Sequence, residues 1–190
     1  ARAGAVGLRT KAYKLTDGFA DLPESQANQL EALLPVEGCV YPYRHIAPAE
    51  IHPYHRGRLG IAADAVVIAA FVNPMKLSRR CLALWREVLE RIPRALLAIS
   101  PLSPGAGEAP RRLFAAAGSG ARRTIVVPAG RDEAESQARY HVIDLVLDPL
   151  PYGGVNGTLE AVDMGIPVVT LCGRRHGERE RHEHRRLARE

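Results

Sequence analysis

The chain has 190 residues, 46% of them hydrophobic and 25% charged, with a formal net charge of +5. That is the balance of a soluble globular protein with room for one domain and a sizeable core. No apolar run reaches the roughly 18 residues that cross a bilayer, and the first residues lack the apolar stretch of a secretion signal. The seven Arg and four Glu of residues 174–190 supply +3 of the charge, so the body is near neutral and a nucleic-acid surface is not expected. Cys39, Cys81 and Cys172 are far apart and form no CxxC pair, which argues against a disulfide framework or zinc site and for a reducing cytoplasm.

Residues 1–60 read as an irregular lead-in and connection. Pro23, Pro35, Pro42, Pro48 and Pro53 interrupt them. A brief helix is expected over residues 25–34, with Leu30, Leu33 and Leu34 on one side, and residues 42–60 read as a connecting loop. Residues 61–173 then read as a Rossmann-like domain. Residues 65–72 (AVVIAAFV) form a continuous apolar run, the pattern of a strand buried on both faces. A helix follows over residues 77–92, with Leu77, Cys81, Leu84, Trp85, Val88, Leu89 and Ile92 on one face and Ser78 near its start. Residues 95–99 are a second strand. A Pro/Gly-rich loop at 101–107 leads to a helix at 111–117, then a third strand at 124–127. Asp132 and Glu135 have capping-box spacing for a helix running to about His141. Residues 143–147 and 167–171 are the fourth and fifth strands, with a short helix at 156–164 between them. Residues 174–190 read as a charged tail, disordered or truncated. Strands alternating with helices predict an α/β fold with a parallel sheet and helices on both faces. Ligands of such sheets bind beyond the carboxyl ends of the strands.

The loops there carry the candidate chemistry. Asp148-Pro-Leu-Pro-Tyr-Gly-Gly-Val-Asn-Gly-Thr-Leu-Glu160 leaves a strand, turns through glycines and enters a helix at Asn156. Gly154 lets the backbone approach a ligand. The N–H groups of Asn156, Gly157, Thr158 and Leu159 form a helix start suited to a diphosphate. Glu160, about one turn on, suits ribose hydroxyls. The same run also reads as a glycine-rich turn with an Asn cap. Asn156-Gly-Thr158 matches a glycosylation acceptor, a chance match in a chain without a signal peptide. In Asn73-Pro-Met-Lys76, the lysine can reach a phosphate as a point charge and Asn73 can hydrogen-bond sugar or phosphate. The basic run at 173–179 reads as a solvated charge run with arginines in reach of phosphate, and Arg181-His-Glu-His-Arg185 lacks zinc spacing.

These pieces together resemble the O-linked N-acetylglucosamine transferase and SPINDLY family, in the C-terminal half of its catalytic region. The resemblance runs from about Lys11 to Arg179. It is carried by Tyr13-Lys-Leu-Thr-Asp17 with Leu22-Pro-Glu-Ser25, by Phe71-Val-Asn-Pro-Met-Lys76 with Trp85 and Ile92-Pro93, and by Leu147-Asp-Pro-Leu-Pro-Tyr-Gly-Gly154 with Met164-Gly-Ile-Pro-Val-Val-Thr-Leu171. It implies the donor-binding half of a B-type glycosyltransferase. A UDP-sugar, UDP-N-acetylglucosamine first, serves as donor for inverting transfer to protein, with no metal or other cofactor. By position, Lys76 neutralises the leaving diphosphate and Asn73 lies near sugar or phosphate. Gly154 belongs to the UDP-sugar site, Asn156, Gly157 and Thr158 bind the diphosphate at the helix start, and Glu160 holds the ribose. The family's His-Thr-Thr is replaced by Val155-Asn-Gly157, closer to the related bacterial N-glycosyltransferases, so a UDP-glucose-dependent protein N-glycosyltransferase is an alternative. A non-catalytic UDP- or phosphate-binding domain is another. The family's uracil-packing histidine falls at Ser136, leaving Gln137, Tyr140 and His141 as open alternatives. The resemblance places the N-terminal catalytic half, and the family's tetratricopeptide repeats, outside this chain, together with the base and the acceptor side. Transfer by the chain alone is therefore not expected.

Overall fold

A computed structural model describes residues 11–18, 20–100, 112 and 123–171. The expected loop at 101–107 lies outside these residues, as do the basic run at 173–179 and the tail. So does the expected helix at 111–117 apart from Arg112. The chain divides into two compact units, one of Ala1–Arg44 with Leu171–Glu190 and one of His45–Thr170.

In the first unit, β1 (Tyr13–Thr16) pairs in parallel with β2 (Ala32–Pro35), with Tyr13 opposite Ala32 and Leu15 opposite Leu34. The helix expected at 25–34 is replaced by a 3-10 helix at Pro23–Asn28 and by β2. The reason is a polar clasp. The Gln26 side chain donates to Glu31 O at 2.9 Å and accepts from Leu33 N at 2.8 Å, so the chain turns out of the helix before the leucines can line up. Asp17 holds the other end by accepting from Ala20 N at 2.7 Å and Val40 N at 3.1 Å.

The second unit is built on a five-stranded parallel sheet. Its strands are β3 (Val66–Ala70), β4 (Ala95–Ile99), β5 (Thr124–Val126), β6 (Leu145–Leu147) and β7 (Val168–Val169), in the order β5-β4-β3-β6-β7. The apolar run at 65–72 serves both faces. Ile68 and Ala70 pack with Cys81, Leu82, Trp85 and Leu89 of α1 (Arg79–Arg91). Val67 and Ala69 pack on the other face with Tyr54, Ile61, Tyr140 and Ala161. The α1 face differs slightly from the one its sequence suggests. Leu82 is buried and Leu84 is 43% exposed. At 100° per residue Leu84 lies about 115° round the helix from the centre of the buried stripe. Ser78 caps α1 through its hydroxyl, which accepts from Cys81 N at 3.1 Å.

On the opposite face lie α2 (Glu133–Ala138), extended by a 3-10 turn at Arg139–Val142, and α3 (Asn156–Asp163). The capping-box reading of α2 holds in half. Asp132 accepts from Glu135 N at 2.8 Å, but the Glu135 carboxylate accepts from Arg131, at N (2.7 Å) and Nε (2.8 Å), rather than from the N-cap amide. Residues 45–60 carry no regular element, as expected of a loop, yet they are packed. Tyr54 is buried, and Arg56 donates to Ala65 O, Val142 O and Asp144 Oδ1.

Candidate functional site

The strand order places the site. The chain winds from β3 outward through β4 and β5, then returns to β6 and β7 on the other side of β3. The order reverses between β3 and β6, and such a switch point is where parallel sheets ordinarily offer a ligand crevice, beyond the carboxyl ends of the strands. The loops leaving these two strands are residues 71–78 and 148–155, the two segments that carry the candidate residues.

A hydrogen bond joins the loops. Lys76 Nζ donates to Gly153 O at 2.9 Å. Asn73 shapes the lysine's own loop, with Oδ1 accepting from Met75 N at 2.9 Å and its carbonyl accepting from Lys76 N at 2.9 Å. The asparagine carbonyl oxygens are thus spent on the turn, and the side-chain NH2 is the group left to donate. Lys76 keeps further N–H donors beyond the one given to Gly153.

The second loop is held from beneath by Asp148, which is buried. Its Oδ1 accepts from Gly154 N at 2.6 Å and its Oδ2 from the Thr170 hydroxyl at 2.8 Å. The cis Leu150–Pro151 peptide is clasped to the start of α1. Ser78 Oγ donates to Leu150 O at 2.9 Å and Leu150 N donates to Cys81 Sγ at 3.4 Å. A side chain at Gly154 would meet Asp148 Oδ1 at 3.5 Å and Thr158 Oγ1 at 3.6 Å, ordinary contact distances. Gly154 is therefore not demanded by crowding from the protein itself.

The helix start differs from the expected one. Val155 is the N-cap of α3 and has helical backbone angles. Its carbonyl already accepts from Thr158 N at 3.2 Å and Leu159 N at 3.0 Å. The Thr158 hydroxyl donates to Gly154 O at 2.6 Å. The amides of Thr158 and Leu159 are thus turned into the helix. Those of Asn156 and Gly157 take no acceptor among the described residues, which is the usual state of first-turn amides.

Glu160 sits in the next turn, half-buried. Its Oε2 accepts from the Tyr140 hydroxyl at 3.3 Å, and the same hydroxyl is 3.2 Å from Gly157 O. Burial pushes the Glu160 pKa up, against the opposing pull of Arg139 and the Tyr140 hydrogen bond. Arg139 was not singled out by its sequence position. Its guanidinium lies 5.1 Å over the Phe71 ring and donates to Ser100 Oγ at 2.6 Å. Phe71 and Ser100 each follow a strand directly, so this arginine reaches the same edge of the sheet. A lone arginine at a helix end gives no sequence signal of such a reach. Asp148 was more legible, as the acid that ends an apolar strand.

Of the three open alternatives at the uracil position, Gln137 and Tyr140 are 2% and 1% exposed, so neither keeps a face for a base. His141 leads into β6 from its amino end, opposite to the crevice, and meets His52 there.

Comparison with known proteins bears on the fold and its relationships. No protein-family model matches the chain. The Arabidopsis thaliana SPINDLY protein, a probable UDP-N-acetylglucosamine–peptide N-acetylglucosaminyltransferase, is 27% identical over 176 residues. The alignment covers 90% of this chain and 19% of that protein. The rice protein of the same name is 27% identical over 178 residues, covering 90% of this chain and 18% of its own length. An O-GlcNAc transferase mutant from Thermobaculum terrenum superposes with a TM-score of 0.70 at 25% identity, covering 97% of this chain and 38% of that one. The chain is a homologue of the SPINDLY and O-GlcNAc transferase proteins. It spans about a fifth of the length of the curated relatives it matches. Its sheet with flanking helices matches part of the catalytic fold of the bacterial enzyme. No helix among the described residues is long and apolar enough to cross a membrane.

Proposed function

We propose that this chain carries the nucleotide-sugar-binding side of a protein glycosyltransferase, with a UDP-sugar as donor. The observation that carries the reading is the Lys76–Gly153 bond across the switch point, beside the unengaged amides of Asn156 and Gly157. The bond ties a cation to the loop that leads into the α3 start, and a cation and a helix start are the two groups that suit a diphosphate. In this reading Lys76 and the α3 start stabilise the negative charge that grows on the diphosphate as the sugar departs, a role that a fixed cation and oriented amides fill without a metal. Gly154 keeps the loop backbone open to the phosphates. Asn73 donates from its amide, and the Thr158 hydroxyl fixes the loop. Glu160, held by Tyr140, receives the ribose hydroxyls. The names of the relatives support UDP-N-acetylglucosamine as the donor and protein as the acceptor. The base and the acceptor surface belong to a further part of the enzyme.

Calorimetry with UDP, UDP-N-acetylglucosamine, UDP-glucose and GDP tests the proposal. Binding of UDP and UDP-N-acetylglucosamine is expected, unchanged by EDTA. Lys76→Ala is expected to weaken it by about 1–3 kcal/mol, the scale of a lost charged hydrogen-bond partner. Equal affinity in a folded Lys76→Ala chain overturns the site. A preference for UDP-glucose or GDP overturns the donor assignment and leaves the site standing.

A further inference from the structure

An array of imidazoles joins the strap of residues 45–60 to the turn after α2. His52 stands at its centre. Its ring stacks on His55 with centroids 5.0 Å apart and lies 4.9 Å from the ring of His141 and 5.8 Å from that of Tyr54.

Two hydrogen bonds fix the protonation of this array. Tyr54 N–H donates to His52 Nδ1 at 3.2 Å. That nitrogen therefore carries a lone pair, and the single proton of the neutral ring sits on Nε2. His52 Nε2 is 3.1 Å from His141 Nδ1, so His52 donates and His141 accepts, which leaves the His141 proton on its own Nε2. A second proton on His52 would sit on Nδ1, facing the Tyr54 N–H. A proton on His141 Nδ1 would face the His52 N–H. The same logic excludes His52 as a metal ligand through Nε2, because the ring proton would then move to Nδ1 against the Tyr54 amide.

We propose that this array is a pH-sensitive clasp that holds the strap on α2 while the His52 ring is neutral and releases it when that ring takes up a proton. The groups facing His52 are His55 from its own strap, His141 from the turn after α2, and the Glu135 carboxylate from α2. The carboxylate favours a charged ring, but Arg131 already engages it through two N–H groups. Burial, then His141, then His55 outweigh it and hold His52 below the ordinary imidazole range. The released strap binds protons more readily than the closed one. The clasp is thus complete above about pH 6.5, the ordinary imidazole value, and weakens as pH falls below it toward the lower value of the closed state. What it secures is the buried Tyr54 ring and the bond from Ala49 N to Ala134 O at 2.9 Å.

The test is nitrogen-15 NMR and amide exchange on the full chain between pH 8 and 5. At pH 8 His52 is expected as the Nε2–H tautomer. The opening constants of the Ala49 and Tyr54 amides should then rise below pH ~6.5 by up to about tenfold per unit, the limit for uptake of one proton. Amides of β3 and β4 should not follow. His52→Asn keeps an oxygen for the Tyr54 amide and cannot titrate, so its strap should stay closed and lose the pH dependence. If that chain fails to fold, His141→Gln should reduce the pH dependence instead. A proton on His52 Nδ1 at pH 8, or opening constants that ignore pH in the unaltered chain, would overturn the clasp.

Discussion

The two units use the same parallel strand pairing and bury very different amounts with it. In the His45–Thr170 unit, β3 is flanked by β4 and β6 and covered on both faces, so alternate residues of one apolar run enter two separate cores. In the other unit β1 and β2 make the same kind of ladder, yet Tyr13 is 64% and Leu15 61% exposed. Backbone pairing does not by itself make a core. Burial needs a layer over the sheet face, and parallel sheets ordinarily have one on each side. Within the first unit, polar bonds do much of the ordering. Thr16 and Lys14 both donate to Asp21 Oδ2, at 2.7 and 3.1 Å.

The largest expected effect sharpens that contrast. Leu97→Ala empties a fully buried position of β4 and should cost about 2–5 kcal/mol, the range for deleting a core leucine. Leu15→Ala, at an exposed position on an equivalent ladder, should stay within about 0.5 kcal/mol. Denaturant unfolding of both variants checks this. Similar losses would mean that the exposed face of β1 is not idle in the folded chain.

A middle-sized effect tests the crevice. Asp148→Ala leaves the Gly154 amide and the Thr170 hydroxyl without their shared acceptor, which should cost about 1–3 kcal/mol in stability. If the loop is also the phosphate cradle, UDP affinity should fall as well, although Asp148 itself need not touch the ligand. Stability lost with affinity retained would separate the scaffold from the site.

Sequence patterns revealed the second unit far better than the first. Continuous apolar runs at 65–72 and 95–99 mark strands because both faces are covered, and the Asp132 cap is visible in spacing alone. Lys76 and the 148–160 loop were identifiable because glycines and a strand-end lysine are local signals. The rest depends on contacts between distant segments. The Gln26 clasp turns an expected helix into a strand. Arg139 reaches Phe71 and Ser100 from a position with no local pattern. The first-turn amides of α3 split two and two because Val155 had already entered helical geometry, a detail that the Asn156-Gly-Thr158 run does not announce.

The smallest expected effect concerns Glu160. Burial raises its carboxyl pKa in the folded chain, so between the unfolded and folded values the folded state holds more protons than the unfolded state. Its contribution to stability is fully present below the unfolded pKa and is lost as pH rises through the folded value. Glu160→Gln keeps the shape and an oxygen for the Tyr140 hydroxyl, but does not titrate. The variant should gain stability relative to the unaltered chain as pH climbs from about 4.5, the ordinary carboxyl value, and level off once pH has passed the raised folded value. Urea midpoints measured from pH 4 to 8 read this directly. The same variant should weaken UDP binding if Glu160 accepts from the ribose, because an amide oxygen is the poorer acceptor. A gain in stability with a loss of affinity is the signature of a carboxylate kept half-buried for a ligand. A constant midpoint difference across that range would instead leave Glu160 as an ordinary second-turn side chain of α3.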